Sequence, residues 1–528
     1  MKEKQNAISE VKSPPSLEEI EQKLRSDFEK IIHFCKEGGE GEKFYSVEKT
    51  LRELVSQLGC LFFQLFLISF SERLDCQKWL DSGLYYAKKT PIARTIKTIY
   101  GEVKYWRQYL VRKGKAEGGF YPLDVVLGLT RDGFSPLVIS LCTKLATRVS
   151  FGSAVLLFRC FYGWSPSSES IEHLVLGLGR QASAYMEVVN PPEDDGEVLV
   201  IEVDGKATPT ATEEELAKRR GKRKKKKRIC SCGCQRHRGK SKRKCGRAKR
   251  RSKGDKSKNG RSTTIVVIYT LRIGSDGLLH GPVNKRVWAS YAPRKVMIAW
   301  ARSQATKRGF PPNTNKRIHI AVDGERCLKD GLAKLFPEAT FVLDIRHLEE
   351  RLWKTGRAFY AEGSKELEKW VEEKRTFLYK GRASKLLSEL KELKKSLSKG
   401  AKRDQGKREA LSKLIKYMGK RLDMMDYKKL IDEDLPIATG AVEGAARYVV
   451  GERMDCSGMR WIPGRAEALL HLRCIELNGD WDQFFEWGYK RWIVKLRQRE
   501  KVLIRTNEPI DLFDNSTSSV PHEVSIAA

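Results

Sequence analysis

Residues 198–360 constrain the fold of this chain more than any other stretch, because strands and helices follow one another there in a definite order. Three segments rich in β-branched and aromatic residues come first, and helices then alternate with strands. Consecutive strands pair antiparallel, whereas a parallel pair needs a helical crossover, so this order predicts a mixed sheet covered by helices. The strands are predicted at 198–204, 263–273, 286–291, 317–323 and 339–343, and the helices at 293–307, 328–335 and 345–360.

Residues 1–90 are predicted to be helical, and a Ser-x-x-Glu capping box at Ser16 and Glu19 marks the first helix start. The longest apolar stretch, residues 60–70, is shorter than a bilayer span, so we expect a buried helix and no membrane partner. The charged beginning of the chain lacks an apolar secretory segment, and scattered single cysteines suit a reducing compartment. These features together predict a cytoplasmic location.

Residues 91–190 are predicted to combine a β-hairpin with a pair of helices. The hairpin is expected at 94–112, where Thr, Ile, Val and Tyr alternate with polar residues. Segments 150–159 and 167–178, joined by a turn that contains Gly163, have the layout of a helix-turn-helix. This layout reads DNA in many proteins, but two short helices joined by a turn are also common elsewhere, so both interpretations stay open.

The net charge of +34 is concentrated in two segments that interrupt the mixed α/β region. Residues 218–261 hold 24 Lys and Arg beside one acid, inside a predicted basic insertion at 207–262. Residues 362–429 hold 21 Lys and Arg against 11 acids, inside a predicted helical insertion at 362–430. Charge concentrated in this way predicts a polyanionic partner, and nucleic acid is favoured because no membrane segment is expected.

The basic insertion also carries an array of soft metal ligands. Its spacing is Cys-x-Cys-x-Cys-x₂-His-x₇-Cys, and four of these side chains would hold a structural Zn²⁺. The Cys-x-Cys spacing is tighter than the usual zinc knuckle, so a basic arm with incidental thiols is the alternative. Either form would bind phosphate groups. The candidate zinc ligands are Cys230, Cys232, Cys234, His237 and Cys245.

Three acidic residues are the candidates for catalysis and metal binding. Asp204 and Asp323 each precede a Gly at the predicted end of a strand. A single Asp-Gly pair is a common turn. Two such pairs at one edge of a sheet would bring both carboxylates together. Glu443 is an isolated acid in an apolar helix of small residues, where a first-turn Glu that complements the helix dipole is the alternative. Three carboxylates would hold two Mg²⁺ or Mn²⁺ ions, which prefer oxygen ligands and promote in-line phosphoryl transfer.

The contexts of these three acids resemble those of DDE-type insertion-sequence transposases, most closely the Kra-type bacterial branch that is related to the Mutator-like group. The resemblance covers residues 90–490 loosely and 315–490 closely. Within the family-like pattern, Asp204 and Asp323 are metal ligands, and Glu443 is a ligand or an acid/base partner.

Two stretches carry most of the resemblance, GAVEGAARYVVGERMDCSGMRW at 440–461 and FVLDIRHLEE at 341–350, which contains an Asp-x-x-His pair. The resemblance implies that His347 contacts DNA or supports the metal ligands. The alternative is that the Asp is a helix N-cap and the His is a surface residue near it. For Arg447, Arg460 and Trp461 the resemblance suggests contact with DNA. The alternatives are an ion pair for Arg447, a surface charge for Arg460 and core packing for Trp461. These secondary candidates are Asp344, His347, Arg447, Arg460 and Trp461.

The resemblance implies a ribonuclease H-like catalytic fold, two divalent metal ions, and cleavage and joining of DNA at terminal inverted repeats and at a target. It also implies location at the bacterial nucleoid and a homodimer or a higher synaptic complex. The predicted organisation is a helical region (1–90), a hairpin with a helix-turn-helix (91–190), the first part of the catalytic domain (191–361), the helical insertion (362–430), the second part (431–490) and a C-terminal tail (491–528).

Two other interpretations stay open. The chain would be a transposase-derived DNA-binding protein if the scaffold were kept and catalysis lost. It would be a nucleic-acid-binding zinc module if the Asp-Gly pairs were only turns, and the three carboxylates would then not converge.

Overall fold

The computed structural model of the protein describes residues 14–38, 41, 43–114, 118–217, 260–310, 316–398, 401–456 and 459–505. Within the whole chain, two compact units are distinguished, one made of Met1–Gln181 with Trp481–Ala528 and the other of Ala182–Asp480. Most of the basic insertion and the end of the predicted tail lie outside the described residues. The same holds for the candidate zinc ligands Cys230, Cys232, Cys234, His237 and Cys245.

Helices dominate the chain up to residue 188, with short strands between them. In order these elements are α1 (Leu17–Glu37), α2 (Phe44–Arg73), α3 (Gln77–Leu80), β1 (Tyr85–Ala87), β2 (Ile92–Thr98), β3 (Gly101–Arg107), β4 (Leu110–Arg112), β5 (Gly119–Phe120), α4 (Pro122–Leu127), α5 (Pro136–Arg148), α6 (Phe151–Tyr162) and α7 (Ser168–Val188).

The remaining elements mix strands and helices. They are β6 (Val198–Pro209), α8 (Glu213–Ala217), β7 (Gly260–Ile273), β8 (Leu279–Ser290), α9 (Arg294–Lys307), β9 (Arg317–Val322), α10 (Arg326–Leu335), β10 (Thr340–Leu343), α11 (Ile345–Gly356), α12 (Lys365–Tyr379), α13 (Ala383–Ser396), α14 (Lys402–Gly419), α15 (Tyr427–Asp432), α16 (Gly440–Ala445), a π-helical segment (Ala446–Gly451), α17 (Glu452–Met454), α18 (Pro463–Leu477) and α19 (Trp481–Arg505).

Several local structures in the first unit agree with what the sequence predicts. The Ser16 hydroxyl accepts a hydrogen bond from the Glu19 amide at 3.1 Å, and the Glu19 carboxylate accepts one from the Ser16 amide at 3.0 Å, which completes the capping box. Strands β2 and β3 form an antiparallel hairpin over residues 92–107, whereas residues 110–112, predicted to belong to it, form β4 in a separate sheet. Helices α6 and α7 form the predicted pair, and Gly163 ends α6 in a left-handed conformation (φ 78°).

Helix α2 differs from the buried helix expected at residues 60–70. Leu61, Leu67 and Ile68 are buried, whereas Phe62 and Phe66 are 53% and 47% exposed. By length and composition alone, α2 is the one helix among the described residues that is apolar enough to cross a membrane. The expectation failed because an apolar run covers every face of a helix, while α2 buries only one face within its unit.

The second unit is a mixed α/β structure built on a five-stranded sheet with the order β10-β9-β6-β7-β8. β7 pairs antiparallel with both β6 and β8, whereas β6, β9 and β10 run parallel to one another. Residues 198–203 of β6 are all buried, as expected for a central strand covered on both faces. The predicted mixed sheet is thus confirmed, while the ribonuclease H-like assignment stays a proposal.

Strands β6 and β8 extend beyond their predicted bounds for one physical reason, and β7, which pairs with β6, begins at Gly260 instead of residue 263. β8 begins at Leu279 instead of residue 286, because residues 279–285 are mostly exposed and give no alternating apolar pattern. β6 continues past residue 204 to Pro209, where most side chains are exposed or only partly covered and form no apolar pattern. Both extensions are stabilised by backbone pairing to β7 and not by burial of apolar side chains.

Candidate active site

Asp204 and Asp323 lie side by side where the parallel part of the sheet ends. Pairing of β6 with β9 stops at Glu202 and Ala321, and this register continued by two residues puts Asp204 opposite Asp323. β9 ends there because Gly324 turns the chain with a φ of 86°, a conformation that glycine adopts without strain. The two Asp-Gly pairs therefore share one edge, as the sequence predicts.

Asp204 does not end its strand, however. β7 stays paired with β6 through the whole interval from Val198 to Pro209, so only the β9 partner is lost at Asp204. Beyond this point β6 has one strand partner instead of two, and Asp204 lies where the β9 partner ends. This correction leaves the predicted neighbours unchanged and explains why Asp204 is only half-buried.

Each of the two aspartates accepts a hydrogen bond through one oxygen from a backbone amide that follows it closely in the chain. The Gly205 amide donates to Asp204 Oδ1 at 2.6 Å, and the Glu325 amide donates to Asp323 Oδ1 at 2.8 Å. Among the described residues, the second oxygen of each carboxylate accepts no hydrogen bond. Burial raises the pKa of Asp204, and the negative charge of Asp323 raises it further, while His347 and Arg294 act in the opposite direction.

Helix α16 carries Glu443 and is held at its start by two buried acids from other elements. The Asp344 carboxylate accepts hydrogen bonds from the Thr439 amide at 3.0 Å and from the Thr439 hydroxyl. The Glu202 carboxylate accepts one from the Val442 amide at 2.8 Å. Negative groups at a helix start satisfy unpaired N–H groups and complement the helix dipole, so these acids orient the helix that presents Glu443.

His347 connects the aspartates with Glu443. Its Nδ1 lies 3.3 Å from Asp344 Oδ2 and 3.9 Å from Glu443 Oε1. One ligand atom from each of Asp344, His347 and Glu443 lies within 4.8 Å of the others, a spacing compatible with a metal ion. Together with its electrostatic interaction with Asp323, these contacts place His347 among the candidate acids.

Asp344 acts as a structural anchor in this arrangement. It is fully buried, and besides the Thr439 contacts it caps α11 by accepting from the Arg346 amide at 2.7 Å. Burial alone would raise the pKa of Asp344, but the contacts with His347, Thr439 and Arg346 outweigh it and lower that pKa to about 2. The N-cap interpretation of the Asp-x-x-His pair is therefore correct for Asp344, and the proximity of His347 to Glu443 agrees with the family-like one.

The other three predicted residues, Arg447, Arg460 and Trp461, differ in exposure and in contacts. Arg447 is exposed and makes no ion pair within the described part of the chain, and Arg460 is half-buried. Trp461 is held by backbone and side chain: its indole Nε1 donates to the Met454 carbonyl at 2.8 Å, and its amide donates to the Pro209 carbonyl at 3.1 Å. The packing interpretation of Trp461 is thus favoured over stacking on DNA.

Sequence reasoning missed Glu202. This acid is 1% exposed, and it accepts a hydrogen bond from the Tyr269 hydroxyl at 2.9 Å in addition to the Val442 amide. Burial raises the pKa of Glu202, and the two hydrogen bonds offset part of that effect. A buried acid within the apolar run VLVIEVD was the available signal, since acids are rarely fully buried without partners.

The sequence also gave no indication of the contacts that the helical insertion makes with the turn after Asp323. The Tyr417 hydroxyl donates to the Asp323 carbonyl at 3.1 Å, and Arg421 Nε donates to the Gly324 carbonyl at 2.7 Å. A Cβ on Gly324 would lie within 3 Å of both side chains, so glycine is required for space as well as conformation. No local pattern connects residues almost a hundred positions apart.

The protonation of His347 gives a testable prediction. The Asp344 carboxylate raises the pKa of His347 from 6.5 to about 9, with smaller contributions from Asp323 and Glu350. Its contribution to the free energy of unfolding is therefore fully present below about pH 6.5 and is lost as pH rises through about 9. We expect Asp344→Asn to lower the pKa of His347 by more than Glu350→Gln does, measured by NMR titration of the imidazole in metal-free protein.

A pKa of His347 that is equal in the wild type and in Asp344→Asn would contradict this account. The control is Glu350→Gln, which removes a nearby charge without touching the imidazole contact.

No family model matches the chain, and no curated protein matches it either.

Proposed function

We propose that this chain is a DDE-type transposase that cleaves and joins DNA at the ends of an insertion sequence by two-metal phosphoryl transfer. The observation that carries the proposal is the pairing of Asp204 with Asp323 at one sheet edge, with His347 close enough to connect them to Glu443. A module in which the Asp-Gly pairs were only turns would not need these acids to share one edge.

The sheet supports a ribonuclease H-like assignment. A three-stranded antiparallel meander, β6-β7-β8, is extended on the β6 side by the parallel strands β9 and β10. A mixed sheet of this kind is compatible with the fold that the resemblance implies. Asp204 lies on β6, and Asp323 follows β9 directly.

The donor set suits divalent cations. Asp204 and Asp323 each keep one oxygen without a hydrogen bond in the described structure, and Glu443, which lies near His347, is 40% exposed. Carboxylate oxygens are the preferred ligands of Mg²⁺ and Mn²⁺. These three residues would hold the ions, which when bound would supply activation of the attacking oxygen and stabilisation of the leaving one.

The chain's own residues prepare the site for this chemistry. Arg294 balances part of the negative charge of Asp204 and Asp323 and is itself fixed by Glu325, 2.5 Å away. His347 is protonated at neutral pH, so it stabilises the ionised acids before any cation arrives. The exposure of Arg447, one turn after Glu443, supports a role for it in contacting a phosphate group.

The proposed partner is double-stranded DNA, namely terminal repeats and a target, and the proposed assembly is a homodimer or a larger synaptic complex in the bacterial cytoplasm. The net charge of +34 supports a polyanionic partner. The experiment that tests the function incubates the full chain with Mg²⁺ or Mn²⁺ and DNA fragments that flank its coding sequence. Strand breaks and joined products at defined ends support the proposal, and their absence with both metals contradicts it.

Binding to DNA is expected to depend steeply on salt. Residues 218–259 contain most of the larger charge cluster, so their replacement by a short Gly/Ser linker removes many of the cations that would displace counterions. We expect a smaller slope of log K against log [salt], measured by fluorescence anisotropy with duplex DNA. A matched variant with neutral substitutions in 362–429 tests the second cluster, and an unchanged slope in both would contradict the assignment of the charge to DNA.

A further inference from the structure

Helix α2 leaves one apolar face uncovered. Val55, Phe62, Phe63 and Phe66 are 40–53% exposed, and residues 54–71 contain no charged side chain. With 3.6 residues per turn, Val55, Phe62 and Phe66 lie within about 40° of one another around the helix axis. An exposed apolar face of this kind marks a site of interaction with another molecule.

Neighbouring elements widen this face. The Tyr100 ring, in the turn of the β2–β3 hairpin, has its centroid 6.0 Å from that of Phe63, and Phe161 of α6 lines a surface cavity together with Val55 and Tyr100. The five aromatic side chains together expose the equivalent of about two and a half whole ones, roughly 500 Å². A stable interface buries about 800 Å² of each partner, so this area with a polar rim is large enough for one. The α2 face is defined by Val55, Phe62, Phe63, Phe66, Tyr100 and Phe161.

The other faces of α2 fix it to its own unit. Leu58, Leu61 and Leu67 are buried, and Gln64 Nε2 donates to the Lys104 carbonyl at 2.9 Å. A bilayer that surrounded α2 would require these contacts to break, whereas a partner that docks on the exposed face leaves them intact. The contacts therefore favour a docked partner over a membrane span.

The charges at the two ends of the face indicate which partner fits it. Glu48 lies seven residues before Val55, Arg73 lies seven residues after Phe66, and both are exposed. Seven residues are close to two turns, so both charges lie on the line of the face, about 37 Å apart. Neither forms an ion pair within the described part of the chain, and Arg73 donates through Nε to the Ser69 carbonyl at 3.2 Å. A lipid surface would leave both charges without a counter-charge.

A second copy of α2 in antiparallel orientation satisfies this pattern. A two-fold axis between residues 60 and 61 brings Glu48 opposite the partner's Arg73 at both ends, and Val55 opposite the partner's Phe66. A parallel arrangement would instead bring like charges together at each end. The face is therefore complementary to itself in the antiparallel orientation.

We propose that the α2 face is a homodimer interface in which two copies of α2 pack antiparallel. The proposed transposase function requires an assembly of two or more subunits, and this inference names the surface that joins them. It rests on α2 and its neighbours and not on the acids of the candidate site.

The test measures the dimer dissociation constant of the full chain by sedimentation equilibrium, after nuclease treatment and without DNA or metal. We expect Phe62→Glu to weaken dimerisation at least a hundredfold, because it buries an unpaired carboxylate from each copy near the two-fold axis. Leu278→Glu is the control, since Leu278 is a comparably exposed apolar residue (49%) in the other unit. A chain that is monomeric at tens of micromolar, or an equal dissociation constant in the two variants, would overturn the proposal.

Reversal of the end charges tests the orientation. Glu48→Arg and Arg73→Glu are each expected to weaken dimerisation about tenfold, since each places like charges at both ends of an antiparallel pair. The double variant is expected to recover wild-type affinity. The control is Glu53→Arg, an equal change of charge at an exposed position about 140° around the same helix from Glu48. Wild-type affinity in both single variants, or no recovery in the double variant, would contradict the antiparallel arrangement.

A lipid partner is distinguished by flotation with neutral phosphatidylcholine vesicles, which carry no net charge that would attract the basic segments. We expect the chain to remain unbound. Vesicle binding that Phe62→Glu abolishes, in a chain that sediments as a monomer, would assign the face to lipid and overturn the proposal. Since none of these measurements involves DNA joining, their failure would leave the proposed chemistry unaffected.

Discussion

Asp323→Asn is expected to abolish metal-dependent joining of DNA while DNA binding stays at the wild-type level. The substitution keeps the shape of the side chain and an oxygen that still accepts from the Glu325 amide, but it removes the negative charge that the cations need. Loss of a group that stabilises the transition state typically costs about 10²–10³-fold in rate, and loss of a metal costs more. Product formation on gels and DNA affinity at fixed salt measure the two effects separately.

The matched control is Asp330→Asn on α10, the helix that follows the same turn. Asp330 is exposed and pairs with Arg326 at 3.7 Å, so this variant removes an equal charge close in sequence without touching the candidate site. Full joining activity in Asp323→Asn would exclude the proposed mechanism. Loss of activity in both variants would attribute the effect to net charge instead.

Glu202→Ala is expected to lower the free energy of unfolding by about 2–4 kcal/mol, because it leaves the Val442 amide and the Tyr269 hydroxyl buried without partners. The same change frees the start of α16, so Glu443 loses its position and metal-dependent activity falls. Urea unfolding and calorimetric titration with Mn²⁺ measure the two consequences.

Glu202→Gln separates charge from hydrogen bonding. Its amide oxygen accepts from the Val442 amide while its NH₂ group donates to the Tyr269 oxygen, so stability is expected to stay close to wild type. Glu197→Ala is the control, since that acid also accepts a backbone amide, from Ile273 at 2.9 Å, but near the surface. A Glu202→Ala protein as stable as Glu197→Ala would show that the buried contacts do not anchor α16.

The fold of the second unit was predictable where burial follows sequence pattern. The apolar segments around Ile201 and Ile320 and the helices between them predict the mixed sheet correctly. The extension of β6 to Pro209 was not predictable, because backbone pairing with β7 continues there without an apolar pattern. In the first unit, the apolar run of α2 predicts a helix but not which of its faces stays exposed.

The sequence predicted that Asp204 and Asp323 share one edge of the sheet, but not which contacts hold the elements around them. Asp-Gly pairs and an isolated Glu are local signals, and the structure brings Asp204 and Asp323 to one edge. The anchoring roles of Glu202 and Asp344 depend on contacts with residues more than ninety positions away. Local spacing carries no information about such partners, so Asp344 was placed among the functional candidates without its contact to Thr439.

The two-stranded ribbon formed by β6 and β7 beyond Asp204 makes the basic insertion an exchangeable part. The chain leaves the ribbon at Pro209 and returns at Gly260, and these two positions are paired with each other, about 17 Å along the strand from Asp204. A segment whose ends are fixed together can change in length or be replaced at small entropic cost. Evolution or design could therefore replace this basic segment with another domain while Asp204 and Asp323 keep their register.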